Sequence, residues 1–508
     1  IQLALNAGLN PNDMKLISAA LVVLALLGVA GWKVMGGGSG SRVDHLARSM
    51  SRPRDFKEMT GAAATKDAAR LHADAAGPGV PLAKLTNGGQ MLFGSWEWVQ
   101  TWIMGPRAGK TTCVCVPQIV ETNGPVLATS NKRDIVDLTR GPRSEKGVVW
   151  VHDVQGIIGE PASWWWNPLS FVTSMMRAEE LTDVFVSSAT TTGAQADAYF
   201  ESDGKRLLAH LFFAAAVSGR PITDVARWAQ DPEDDSPVRE LRAAGHGQLA
   251  ESLAQIQGLT PKQRDGVYGT MRPWVNVLTY DSVIPWIRDT GEVGRPEFDH
   301  RRFASTTDTL FLISKEGAGT ARAITGALTM AILTEAEEHA ASLPSGRLSP
   351  PLMGVLDEVA NVCRWRQLPD VYSHYGSRGI VLSSFFQGWD QGVEAFGREG
   401  MRKLWNASNV RVAGSGLQDD GFLPFLPQVI GDRDVVRRSS SAGGRGGRSV
   451  STSVQRERVL DVSDLAAMPR GRAVMTTSGA PAALVTLTHY STKPYASAVS
   501  ASQQHYEP

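Results

Sequence analysis

A chain of 508 residues, 42% hydrophobic and 20% charged, is too long for one core and too apolar for global disorder. Lys plus Arg and Asp plus Glu number 51 each, so net charge leaves no footprint of non-specific nucleic-acid binding, although a local basic channel stays open. Three cysteines, Cys113, Cys115 and Cys363, argue against a disulfide framework, and no Cys/His set has zinc spacing.

In chain order, residues 16–32 form an apolar run bounded by Lys15 and by Trp32-Lys33, at the short end of a transmembrane helix. The basic residues that follow it place the bulk of the chain in the cytoplasm. A buried core helix and a signal peptide are the weaker alternatives. The sequence begins at Ile1, so an earlier span is left open. The expected organisation is a membrane anchor over 1–35 and a juxtamembrane linker over 36–88, opening on GGGSGS. A strand–loop–helix–strand pattern then starts near 90 and predicts an α/β fold.

The segment VQTWIMGPRAGKTTCVCV carries the strongest chemistry. A β-like run leads into Gly105, Pro106, Arg107, Ala108, Gly109, Lys110, Thr111 and Thr112, and a helix follows. That is the layout of a phosphate-binding loop, whose backbone N–H groups face phosphate oxygens at a helix start. Lys110 would reach the β- and γ-phosphates, Thr111 would ligate Mg2+ and Thr112 would touch the α-phosphate. The strict pattern wants glycine at 104; here Met104 precedes Gly105, a relaxed variant. From 175 to 300 the residues favour helix and predict an all-α insertion.

TLFLIS resumes the strands, and LMGVLDE ends on Asp357 and Glu358. At the C-terminal end of a buried strand, Asp357 would hold the metal and Glu358 would act as general base. GIVLSSFFQ ends on Gln387, read either as a γ-phosphate sensor or as a polar strand cap. Arg378, just before that strand, is a candidate transition-state arginine supplied by a neighbouring subunit. Residues 437–453, RRSSSAGGRGGRSVSTS, are read as a mobile surface loop. Two short strands follow, and the polar residues 491–508 are expected to be a disordered tail.

Taken together, these motifs resemble the TraG/TraD-like coupling proteins of conjugative type IV secretion, from about residue 90 to 490. The resemblance also rests on GPVLATSNKRDIVDL and on WWWNPLS with its Asn167-Pro168-Leu169 triplet; the family's acidic residue before Lys132 is Asn131 here. It implies a RecA-like P-loop NTPase domain (89–174 and 301–490), the all-α insertion (175–300) and an N-terminal transmembrane helix. It implies ATP and Mg2+ as cofactors. It implies a homo-hexamer at the bacterial inner membrane that passes single-stranded DNA or a relaxase-type cargo complex to type IV secretion channel components. An FtsK-type double-stranded DNA translocase and a nucleotide-switched docking receptor for secreted proteins are the alternatives. Glu358 favours hydrolysis over the switch.

Overall fold

The structure, a computed structural model, describes residues 41–189, 198–315, 320–363, 365–442 and 448–508. The apolar run 16–32 lies outside them, and no helix among the described residues is long and apolar enough to cross a membrane. The chain divides into a short unit, Ile1–His45, and a large one, Leu46–Pro508. All that follows concerns the large unit.

Its strands are β1 Val80–Leu85, β2 Met91–Gly94, β3 Gln100–Ile103, β4 Val126–Ser130, β5 Val149–His152, β6 Thr309–Ile313, β7 Leu352–Leu356, β8 Ile380–Phe386, β9 Val410–Gly414, β10 Asp432–Ala442, β11 Arg448–Arg458, β12 Arg472–Thr477 and β13 Ala480–Thr486. The helices used below are α1 Gly61–Arg70, α2 Val116–Glu121, α3 Asp134–Ser144, α4 Met175–Ala189, α5 Ala198–Val217, α6 Pro261–Val275, α7 Thr320–Ser342, α8 Leu368–Ser377, α9 Trp389–Ala407 and α10 Ala496–Tyr506.

Eleven strands form one sheet in the order β2-β1-β13-β12-β9-β3-β8-β7-β4-β6-β5. From β9 to β5 every pairing is parallel; from β12 to β2 every pairing is antiparallel. The parallel strands are near-continuous buried runs, such as TLFLI and LMGVL, because helices cover both faces. Gly354 lets β7 and β8 pack closely: a Cβ there would lie 2.5 Å from Leu382 Cδ2. At the opposite edge from the strand C-termini, the buried Arg143 of α3 ties loop ends together. It donates to Thr309 Oγ1 at 2.6 Å and to the carbonyls of Gly124 and Thr307, both at 2.9 Å.

Between β5 and β6 the described residues hold helices and no strand, with α4, α5 and α6 packed together. The neck of this helical region is closed by backbone pairing. Trp165 N–H donates to Pro296 O at 3.1 Å, and Phe298 N–H donates to Trp165 O at 2.7 Å. Asn167 Oδ1 accepts from Leu169 N–H at 3.1 Å and starts a 3-10 turn, Pro168–Phe171. The Asn-Pro-Leu triplet thus turns the chain from the sheet edge into the helices.

Three expectations need correction. Residues 41–88, expected as a linker of helical character, also contribute a strand to the sheet. α1 lies within them, and β1 is hydrogen-bonded to β13, with Lys84 opposite Thr486. Of residues 437–453, the described ones, 437–442 and 448–453, are not a loose loop, because β10 and β11 pair in register from Asp432↔Arg458 to Ala442↔Arg448 as a separate two-stranded ribbon. Residues 491–508 are not a disordered tail, because α10 packs on α3. Ser502 Oγ accepts from Gly141 N–H at 2.9 Å and donates to Asp137 O at 2.7 Å, and Val499 is fully buried.

Candidate functional site

The site forms where three adjacent parallel strands end. β3 runs into the Gly-rich loop, β7 ends on Asp357, and β8 ends beside Gln387. The loop is held by the sheet at its first residues. Met104 N–H donates to Phe386 O at 3.0 Å, and Gly105 N–H donates to Ser415 O at 2.9 Å. Glycine is required at 105, since a Cβ would lie 2.1 Å from Gly416 O. Met104 is fully buried against Gly414, where a Cβ would meet its Cγ at 2.6 Å. A bulky residue at 104 is thus matched by a bare backbone at 414, which is how the departure from the strict motif is accommodated.

Gly109 takes φ +94, and the helix that follows opens with a π-type turn, Thr111–Cys115, before α2. Pro106 and Arg107 are exposed and Ala108 is buried. Arg107 also takes a positive φ, +58, unusual for a side chain of that size. Thr111 and Thr112 are half-buried at the helix start.

Lys110 is buried and folds across to β7. Its Nζ lies 2.7 Å from Glu358 Oε1 and 3.7 Å from Asp357 Oδ1. Glu358 sits in the left-handed region, φ +54, a strained conformation that turns its side chain out of the strand. Gln387 Nε2 donates to Glu358 Oε1 at 2.8 Å, and Gln391 Nε2 donates to Oε2 at 3.3 Å. Gln391 Oε1 in turn accepts from Gln387 N–H at 2.9 Å. Gln391, in the first turn of α9, was not singled out from sequence. The signal was there, a second glutamine one helical turn beyond the strand end.

Burial opposes every charge here. It pushes Lys110 down, but the Asp357 and Glu358 carboxylates outweigh it and hold the ammonium above its usual range. Burial raises Asp357 to about 6, only partly offset by Lys110. For Glu358 burial acts upward, yet Lys110, Gln387 and Gln391 together keep it below the usual carboxylate value. The site therefore holds an ionised glutamate beside a carboxyl poised to titrate.

Several features suit a nucleotide with a hydrated Mg2+. Asp357 Oδ1 is buried without a hydrogen-bond donor among the described residues, an acceptor open to metal-bound water. Among the described residues no cluster of three or more His, Cys, Asp or Glu side chains could cage a metal alone. Magnesium held by one carboxylate, one hydroxyl and phosphates needs no such cage. Arg378 is not brought to this site within one chain. It lies at the far end of β8 from Gln387, and its Nη1 donates to Gly346 O at 3.1 Å.

The fold is a mixed α/β one with a large parallel sheet, and the loop at the end of β3 has the layout of a phosphate-binding loop. Residues 351–470 match the family model described as the TraM recognition site of TraD and TraG. The chain is similar to the conjugal transfer protein TraG of Agrobacterium fabrum, 21% identical over 74% of this chain and 58% of that protein. It is similar to TraG of Rhizobium radiobacter, 22% identical over 74% and 59%. The match thus takes in less than two thirds of these relatives' length. Among solved structures, the bacterial conjugative coupling protein TrwBdeltaN70 superposes with a TM-score of 0.59 at 14% identity, covering 84% of this chain and 91% of that one. The plasmid coupling protein TrwB in complex with ADP and Mg2+ gives 0.54 at 14%, covering 77% and 85%. The chain is thus similar to TraG and TraD over residues 351–470 and to TrwB in fold.

Proposed function

We propose that this chain is a membrane-anchored ATPase that couples hydrolysis to the recruitment and transfer of single-stranded DNA, or of a DNA–relaxase-type complex, through a conjugative type IV secretion channel. It works as a homo-hexamer at the bacterial inner membrane. One observation carries the reading: Lys110, Asp357, Glu358 and Gln387 converge from three strand ends at 2.7–3.7 Å. The names of the TraG relatives, and the nucleotide complexes of TrwB, support the choice of substrate and nucleotide.

Bound Mg-ATP supplies the phosphoryl group and the charge that shields it. The loop N–H groups from Arg107 to Thr111 would bind its phosphates, since the Gly105 N–H is taken by Ser415 O and Pro106 has none, and Lys110 would neutralise them on leaving Glu358. Thr111 and Asp357 would hold the Mg2+ that accompanies the nucleotide. Glu358, released from the lysine but still held by Gln387 and Gln391, orients water and accepts its proton. Gln387 touches the same carboxylate oxygen as Lys110 and so registers whether the lysine has moved. Arg378 can act on this chemistry only from a second copy.

The test is ATP hydrolysis by the detergent-solubilised full chain, with and without single-stranded DNA, alongside Lys110→Ala and Glu358→Gln. Turnover stimulated by single strands and abolished in both variants is expected. Nucleotide binding without turnover in the unaltered protein would favour the docking receptor instead.

A further inference from the structure

Between β9 and β12 the chain leaves the large sheet to build the β10–β11 ribbon. Both ends of this excursion lie at the edge that carries the nucleotide loop, since Gly414 ends β9 and pairs with Ala473 at the start of β12. The root of the excursion touches that loop through the Gly105–Ser415 hydrogen bond of 2.9 Å.

The base of the ribbon is charge-matched. Asp432 lies opposite Arg458, Arg433 opposite Glu457 and Asp434 opposite Arg456. Asp432 receives Arg456 and Arg458, both at 3.3 Å. Farther out the matching stops. From Val435 to Gln455 the sequence holds four arginines and no acidic residue, and from Asp432 to Arg458 it holds seven arginines against three acids. Arg437 has a side chain 64% exposed and, among the described residues, reaches back to Glu457 at 2.7 Å. Arg438 is exposed, and Arg456 is 77% exposed. Exposed pairs of this kind contribute little and exchange readily for a stronger anion.

The rest of the composition narrows the partner. The ribbon has no aromatic residue and no leucine, so it offers nothing to stack on bases and nothing to bury in a bilayer. Val436 and Val454, facing each other midway along the ribbon at 57% and 63% exposure, are its exposed large apolar side chains among the described residues. Arginine with serine is the donor set of a phosphodiester backbone.

We propose that the ribbon is a nucleic-acid arm that grips the phosphate backbone of the transferred single strand through Arg437, Arg438 and Arg456, without reading its bases. This deepens the function proposed above and rests on it for the identity of the strand. Because the arm's root is hydrogen-bonded to the start of the nucleotide loop, strand engagement reaches the site through Ser415 and Gly105.

The experiment measures binding of a fluorescent oligothymidylate to the full chain in detergent, without nucleotide, across a salt series. In the variant Arg437→Ala/Arg438→Ala/Arg456→Ala, the slope of log affinity against log salt should fall by about 2, at ~0.7 per lost contact. Stimulated turnover should be lost while basal turnover stays, since no arm residue belongs to the nucleotide site. The variant with lysine at the same three positions should keep the slope, because charge suffices. An unchanged slope and affinity in the alanine variant would overturn the proposal. So would equal losses in the lysine variant, which mean a structural role. Unchanged DNA binding with weakened binding to phosphatidylglycerol vesicles would also overturn it. Arm-dependent DNA binding in a protein that shows no turnover would sink the motor reading and leave the arm standing.

Discussion

Replacing Lys110 by alanine removes the cation placed against two buried carboxylates. Asp357 and Glu358 are each 4% exposed, and Lys110 is 9% exposed. Stripping one partner from a buried ion cluster leaves uncompensated charge, at a cost of about 3–5 kcal/mol. Unfolding entropy of ~2 cal/mol/K per residue, over a unit as long as Leu46–Pro508, amounts to roughly 1 kcal/mol per kelvin. The expected change is therefore a Tm lower by about 3–5 °C at pH 8, without nucleotide or Mg2+. Glu358→Gln removes a charge and keeps an acceptor for the lysine, so it should lose only about 1–2 kcal/mol. The double variant should lose less than the sum, because only one carboxylate is then left bare. At pH 5 the deficit of Lys110→Ala should shrink, since Asp357, already raised to about 6, takes up a proton. Scanning calorimetry of the four proteins at both pH values decides it. Equal Tm for Lys110→Ala and the unaltered protein at pH 8, or strict additivity in the double variant, would refute the reasoning.

His152 offers a second handle. It is fully buried between Trp164 and Trp286 with neither ring nitrogen hydrogen-bonded, and burial lowers it to about 3. Below pH ~6.5 the unfolded chain takes up a proton that the native state refuses, so stability falls as pH drops from there towards about 3. This group alone should cost about 2 kcal/mol between pH 8 and pH 5, a difference that urea titration should find missing in His152→Phe. Gly105→Ala forces a Cβ against the Gly416 carbonyl, so it should cost about 1–3 kcal/mol and weaken nucleotide binding at least tenfold, measurable by fluorescent-nucleotide titration. Deleting residues 495–508 strips Val499, Ser502 and the Tyr495–Glu121 hydrogen bond of 2.8 Å from α2 and α3. A lower Tm and faster amide exchange in α3 should follow; unchanged exchange there would mean that α10 is merely laid on the surface.

The parallel strands could be read directly because they are buried on both faces, and short apolar runs between helices have few other uses. The Gly-rich loop and the Asp357-Glu358 pair were legible for the same reason, since each sits at the end of such a run. What escaped depends on partners far along the chain. Val80–Leu85 carries no clean alternation, being buried at every position but Lys84, and its ordering strand β13 lies some 400 residues on, as the Thr86–Thr486 hydrogen bond shows. The sequence of α10, ASAVSASQQHY, has little amphipathic contrast, and its order comes from contacts with α2 and α3. The Arg/Ser/Gly segment pairs by backbone register, which composition does not report. Arg378 was picked by position along the chain alone, and the strand it precedes carries it to the wrong end of the sheet for its own site.

β3 is central in the sheet, yet both its neighbours, β8 and β9, come from the last third of the chain. Glu358, the partner of Lys110, follows it by 248 residues. At ~5–20 residues per second, a ribosome needs on the order of ten to fifty seconds to supply it. Throughout that interval the nascent chain carries a Gly-rich loop attached to an unpaired apolar strand, unable to complete its phosphate site. The helical region between β5 and β6 could therefore fold before the phosphate site has all its strands. The order in which the strands are made thus leaves the phosphate site among the last parts of the sheet to be completed.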